Sequence, residues 1–130
     1  MIYSYAYSST PTVAGDAFEA NLANILDHSR WWNGENDVTG ALLASEGGFV
    51  QILEGSQATI AVLIDNLRYD CRHRSMQSLL TEFRSERRFS RWAMARVPAS
   101  APDMQLDELS FSGSDRVQRL IERMAELAEA

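Results

Sequence analysis

The sequence predicts an α+β sandwich of ferredoxin-like type, α/β in the broad sense, with strands and helices in the order βαββαββ and a helical extension behind them. Three observations carry this reading. Two segments, near residues 14–30 and 57–69, place apolar side chains at helical spacing. The segments around them are short, β-prone and punctuated by turn residues. Two helices set among five strands in this order close a mixed five-stranded sheet with both helices on it.

The first strand covers residues 2–7 and puts Tyr3, Tyr5 and Tyr7 on one face. Ser8 to Thr12, with Pro11 inside, carry turn chemistry. Phe18, Leu22, Ile25, Leu26 and Ser29 then trace one helix face, which Asn33-Gly34-Glu35-Asn36-Asp37 ends. Val38 to Ser45 and Phe49 to Glu54 form two arms of a hairpin about Glu46-Gly47-Gly48. The second helix runs over residues 57–69, with Ile60, Leu63, Ile64 and Leu67 inward, and closes at Asp70-Cys71-Arg72-His73. Strands follow at Met76 to Phe83 and Trp92 to Val97, so that Trp92 and Met94 share a face.

Pro98-Ala99-Ser100-Ala101-Pro102 reads as a linker. It divides the chain into a domain over residues 1–97 and an extension over 98–130. The extension's stripe of Val117, Leu120, Ile121, Met124 and Leu127 needs a cover, either the open sheet face or a partner.

With 130 residues, 45% of them hydrophobic and 23% charged, the chain suits one domain with one real core. A net charge of −6 without a dense Lys/Arg block argues against nucleic acid as a direct partner. Cys71 is the only cysteine, which rules out an internal disulfide and a cysteine zinc site. His73 stands apart from other ligand-type residues, so no metal site is expected. No run approaches the roughly 20 apolar residues of a membrane span, and the start lacks the pattern of a signal peptide. The expected location is the cytoplasm.

The most informative strand is Phe49-Val50-Gln51-Ile52-Leu53-Glu54-Gly55. Gln51 shares a face with Phe49 and Leu53, and it is the one polar side chain among the apolar residues of both faces. A buried amide without partners costs about 1–3 kcal/mol. An amide also offers two donors and two acceptor sites, so it can bridge two different polar groups. A polar bridge in an apolar strand points to a ligand.

Several motifs occur in register: Tyr7-Ser8-Ser9, Ser29 followed by Asn33, Thr39-Gly40-Ala41-Leu42-Leu43, Gln51-x-Leu53-Glu54-Gly55, Asp70-x-Arg72-His73 and Arg88-Phe89-x-x-Trp92-x-Met94. Together, over residues 1–97, they resemble a BLUF domain, the flavin-based blue-light sensor. The resemblance implies FAD, or alternatively FMN, held non-covalently between two flanking helices. It implies that Tyr7 donates an electron to the excited flavin and that Gln51 lies between the tyrosine and the ring. It further implies that Asn33 bonds the ring edge and that Trp92 and Met94 are tied to signalling.

The flavin-binding set expected from the resemblance is Ser29, Trp32, Asn33, Asn66, Asp70, Arg72 and His73. Plainer readings stand beside several of these roles. Asn33 also suits a helix cap, Asp70 with Arg72 and His73 suits a local ion pair, and Trp92 with Met94 suits simple packing. Three positions depart from the common pattern. Trp32 brings a bulky oxidisable ring, with Trp31 beside it. Asn66 stands where some members carry Arg, and Asp37 stands where Gly is frequent.

No catalytic residues are expected. The signal would leave by contact with a downstream protein, and the apolar tail favours a homo-oligomer. Two other readings compete. One is a flavin- or ligand-binding regulatory module without photochemistry. The other is a small acylphosphatase-like hydrolase, which needs an Arg-bearing phosphate loop where the chain has Ser8-Ser9-Thr10-Pro11-Thr12.

Overall fold

The computed structural model describes residues 1–97 and 114–128. Its elements are β1 (Ile2–Pro11), α1 (Gly15–Glu35), β2 (Thr39–Ser45), β3 (Gly48–Gly55), α2 (Gln57–Arg68), β4 (His73–Arg84), β5 (Ala95–Val97) and α3 (Ser114–Leu127). The five strands form one sheet in the order β4-β1-β3-β2-β5. β5 runs parallel to β2, and the other neighbours are antiparallel. The expected mixed-sheet α+β sandwich is therefore the observed fold.

β3 is buried along its whole length, with β1 on one side and β2 on the other. Its side chains divide by parity, as a pleated strand requires. Phe49 and Leu53 join Tyr5, Tyr7, Phe18, Leu22, Leu26 and Ile60 in the core beneath α1 and α2. Val50 and Ile52 join Ala6, Ala41 and Leu43 on the opposite face.

That opposite face is covered by α3. Val117, Leu120, Ile121 and Met124 pack into it, each burial worth roughly 1.5–3 kcal/mol. The apolar stripe of the extension thus meets the chain's own sheet. The linker over 98–102 lies outside the described residues.

Ser56 caps α2 by accepting a hydrogen bond from the Thr59 N–H at 3.2 Å. The first turn of α1 has no such side-chain cap, but the Gly15 N–H donates to the Glu46 carboxylate across the hairpin turn.

Three local expectations are corrected. Ser8 to Pro11 are strand, not turn. β1 pairs with both β3 and β4, and register shifts at Ala6/Tyr7 and Ser8/Thr10 let the ladder run on to Pro11↔His73. Asn33 is not a cap. It lies inside α1, 1% exposed, with Asn36 as the C-cap. The last strand is only three residues long, so Trp92 to Met94 precede it and escape the alternation of a ladder. Trp92 packs against the core under α3, whereas Met94 belongs to the core under α1 and α2. The two do not share a face.

Candidate functional site

A cleft opens between α1, α2 and the sheet, walled mainly by apolar side chains. The sequence explains the opening. Along α1, Phe18, Leu22 and Leu26 are buried against the sheet, while Ile25 and Ser29 are rotated off that line and only partly covered. Along α2, Ile60 is buried, while Leu63 and Leu67 are left partly exposed. The partly covered residues of the two helices line an apolar slot between them.

The slot ends on the central strands. Tyr7 and Gln51 are direct partners in the β1–β3 register. Both are almost fully buried, at 3% exposed each. The Tyr7 hydroxyl donates to Gln51 Oε1. Gln51 Nε2 in turn donates to Met94 Sδ at 3.6 Å. The amide anticipated as a polar bridge therefore joins a phenol on β1 to a thioether just ahead of β5. Burial pushes the Tyr7 phenol well above the usual tyrosine range, and the nearby charges of Asp70 and Tyr5 add to it. The group is a neutral donor at any physiological pH.

Asn33 holds the other wall. Its Nδ2 donates to the Ala93 carbonyl at 2.8 Å. Its Oδ1 is buried and has no partner among the described residues. An unpaired buried acceptor costs about 1–3 kcal/mol, so this atom is poised for a donor entering the cleft.

At the α2 end, Arg72 holds Asp70 through Nη2–Oδ2 at 2.6 Å and through its own backbone N–H at 3.0 Å. These bonds hold the Asp70 carboxyl below the usual carboxylate range and raise the Arg72 guanidinium. His73 spends both ring nitrogens inside the protein. Nδ1 lies 2.8 Å from Ser9 Oγ and Nε2 lies 2.6 Å from the Leu67 carbonyl. A carbonyl accepts only, so Nε2–H donates to Leu67, and Nδ1 bonds the Ser9 hydroxyl. The ring itself sits 6.0 Å from that of Tyr7, centre to centre, and shapes the cleft floor.

Ser29, Trp32, Asn33, Asn66, Asp70, Arg72 and His73 all line this one cleft, together with Tyr7 and Gln51. Trp31 does not; it is 63% exposed and leans on His28. Met94 reaches the site through Gln51, and Trp92 does not reach it. Sequence reasoning missed Ile25, His28, Leu63 and Leu67 as wall residues. Ile25, Leu63 and Leu67 keep the helical spacing of their buried neighbours, so no sequence signal set them apart as walls.

Among the described residues no His, Cys, Asp and Glu grouping could hold a metal ion. No helix among them is long and apolar enough to cross a membrane.

Comparison with known proteins points the same way. The model of the BLUF family, sensors of blue-light using FAD, matches residues 2–95. The dark-state structure of BlrB, a BLUF protein, superposes with a TM-score of 0.83 at 31% identity, over 96% of each chain. The photo-activated state of BlsA superposes with a TM-score of 0.85 at 23% identity, over 96% of this chain and 95% of that one. A bacterial light-regulated adenylyl cyclase gives 0.71 at 25% identity, over 98% of this chain but 36% of its own. No curated protein matches the sequence.

Proposed function

The chain belongs to the BLUF family of blue-light sensors, and from that premise we propose that it senses light by moving an electron and a proton out of Tyr7 and back, leaving the Gln51 amide rearranged. The observation that carries the reading is the buried relay of Tyr7 hydroxyl, Gln51 amide and Met94 thioether at the end of the cleft.

The residues fit a flavin. The ring system is flat, largely apolar and edged with both donors and acceptors. The slot offers apolar walls, an unpaired acceptor at Asn33 Oδ1 and a second amide at Gln51. In this reading Ser29, Trp32, Asn33, Asn66, Asp70, Arg72 and His73 hold the cofactor, as FAD, with FMN as the alternative. When bound, the flavin supplies the blue absorption and an excited state that takes up one electron.

The chain's own residues do the rest. Tyr7 loses an electron, and its oxidised phenol becomes strongly acidic. The proton leaves Tyr7 toward Gln51 Oε1, which already accepts that hydrogen bond. With a flavin bound beside it, the amide would release a proton from its own N–H to the group that took the electron, so that electron and proton end together. When electron and proton return, Tyr7 is restored and no substrate has been consumed. Gln51 is left in another rotamer or tautomer, its bonds to Tyr7 and Met94 exchanged for others. A small change of hydrogen bonding at a packed site is read out by a segment with two arrangements. Here that segment is Trp92 to Met94.

Residues 1–97 form the photosensory unit in this reading, and 98–130 the output extension. The signal passes to a protein partner or a second copy of the chain, in the cytoplasm.

The test is an absorption spectrum of the purified protein in the dark and just after blue light. The expected result is a flavin spectrum that shifts to the red and relaxes back. Tyr7→Phe and Gln51→Leu should each keep the flavin and lose the shift. A normal photocycle in Tyr7→Phe would remove Tyr7 from its role. A bound flavin that never shifts in the unaltered protein would favour the module without photochemistry.

A further inference from the structure

Three successive carbonyls lead into β5, and each is captured by a different donor. The Gly40 N–H of β2 donates to the Trp92 carbonyl at 3.3 Å. Asn33 Nδ2 of α1 donates to the Ala93 carbonyl at 2.8 Å. Arg30 Nε, one turn earlier on α1, donates to the Met94 carbonyl at 3.2 Å. No ladder holds this segment, because β5 begins only at Ala95. These three bonds are therefore its main polar restraint.

The Arg30 bond differs from its neighbours. Gly40 is fixed by the sheet. Asn33 lines the cleft and cannot be altered without altering the site. Arg30 lies outside the cleft, on a separate groove that it lines with Glu19, Asp27 and Arg96. It nonetheless grips the backbone of the residue whose sulfur receives Gln51 Nε2. A bond from a charged donor is stronger than one between neutral groups.

We infer that Arg30 is a positioning residue of the light response: by holding the Met94 carbonyl it favours the arrangement with Met94 against Gln51 and sets how fast that arrangement is regained after light. The inference rests on the proposed photochemistry but adds a residue outside the cleft, one that reaches the relay only through the Met94 backbone. Removing the donor weakens this arrangement relative to any in which Met94 has moved. The return in the dark should then slow.

The experiment compares the FAD-loaded full chain with Arg30→Met, which keeps an unbranched stem but no donor, and Arg30→Lys, which keeps charge and a donor. Three quantities are measured: the half-life of the red-shifted state, the thermal midpoint in the dark, and amide hydrogen exchange at Gly40. Arg30→Met should lengthen the half-life at least threefold and speed Gly40 exchange at least threefold, with the midpoint unchanged. Arg30→Lys should lie within twofold of the unaltered protein. A half-life in Arg30→Met within twofold of the original, or shorter, overturns the inference. So does a longer half-life that comes with a lowered midpoint, since that is general loosening. If the unaltered protein shows no shift at all, the photochemical reading falls and this inference with it. A shift whose lifetime ignores Arg30 removes this inference alone.

Discussion

Met94 and Trp92 stand two residues apart and belong to different cores. Met94 is 1% exposed and faces Gln51 beneath α1 and α2, whereas Trp92 lies against the layer under α3. The short segment between them therefore joins the two faces of the sheet. A displacement that withdraws Met94 from Gln51 must also disturb what Trp92 touches, and that layer contains the C-terminal helix.

Met94→Leu isolates the sulfur. The swap nearly conserves volume and should cost less than about 1.5 kcal/mol, read by urea denaturation. The acceptor for Gln51 Nε2 is lost, so the lifetime of the light-induced shift should change while the dark flavin complex persists. Met94→Ala, by contrast, opens a cavity and should cost about 2–5 kcal/mol.

Tyr7→Phe leaves Gln51 Oε1 without its donor in a buried site, at a cost of about 1–3 kcal/mol by urea denaturation of the cofactor-free protein. Alkali gives a second signature. The folded phenol has its pKa raised by burial above the unfolded value of 10.0. Between those two values the unfolded chain loses a proton that the native state keeps. Stability is thus intact below about pH 10 and falls as pH rises further, by about 1.4 kcal/mol per unit. Tyr7→Phe should lack this share of the alkaline loss. Parallel stability curves for the two proteins above pH 10 would show that Tyr7 ionises freely.

The central strands were the most legible part of the sequence, because their parity allows one answer. Apolar neighbours on both faces of β3 pointed Gln51 toward a core, whereas its partnership with Tyr7 was implied by the family resemblance and appears as register only in the fold. The helix stripes were legible as helices but not as cleft walls. Ile25 and Leu63 are apolar like their buried neighbours, and only the cleft between the two helices leaves them partly uncovered. Ser8 to Pro11 misled because turn-prone residues are held extended by pairing on both sides. Trp92 and Met94 misled because alternation was assumed where no ladder exists. The Arg30 bond was invisible, since it joins residues 64 apart through a backbone carbonyl.

Asp37 adopts a φ of 55°, in the left-handed region, which accounts for the frequent glycine at this place in the family it resembles. Its carboxylate meets Arg87 at 3.3 Å, but its side chain is 96% exposed, so that pair is worth little. The Arg87 bond to the Asp37 carbonyl, at 2.9 Å, survives any substitution that keeps the backbone in place. Asp37→Gly should therefore hold or raise stability by up to about 1 kcal/mol. Asp37→Val, β-branched and with no local hydrogen bond to offer, should lower it by about 1–3 kcal/mol. Equal denaturation midpoints for the two variants would show that the backbone is free to relax there.

Glu54 ends β3 on the α3 face, fully buried. Its Oε1 accepts from the Arg88 and Phe89 backbone N–H groups at 2.7 and 3.0 Å. The Arg88 side chain lies 3.9 Å from the other oxygen, bonds Glu82 at 2.5 Å and reaches Gln118 of α3 at 3.1 Å. One carboxylate thus fixes the loop that carries Arg88, and Arg88 fixes the helix. Arg88 keeps Glu82 when Glu54 is removed, but the Arg88 and Phe89 backbone N–H groups lose their acceptor, at about 1–3 kcal/mol each. Glu54→Ala should lose that much and loosen α3, seen as faster amide exchange over residues 117–124. Glu54→Gln keeps an oxygen for both backbone donors and should lose distinctly less. Gln118→Ala removes the bonds that α3 makes to Arg88 and Glu82, so it should loosen α3 with little global cost. If α3 exchanges as slowly in Glu54→Ala as in the unaltered protein, its apolar stripe alone holds the helix and the polar hub is incidental to it.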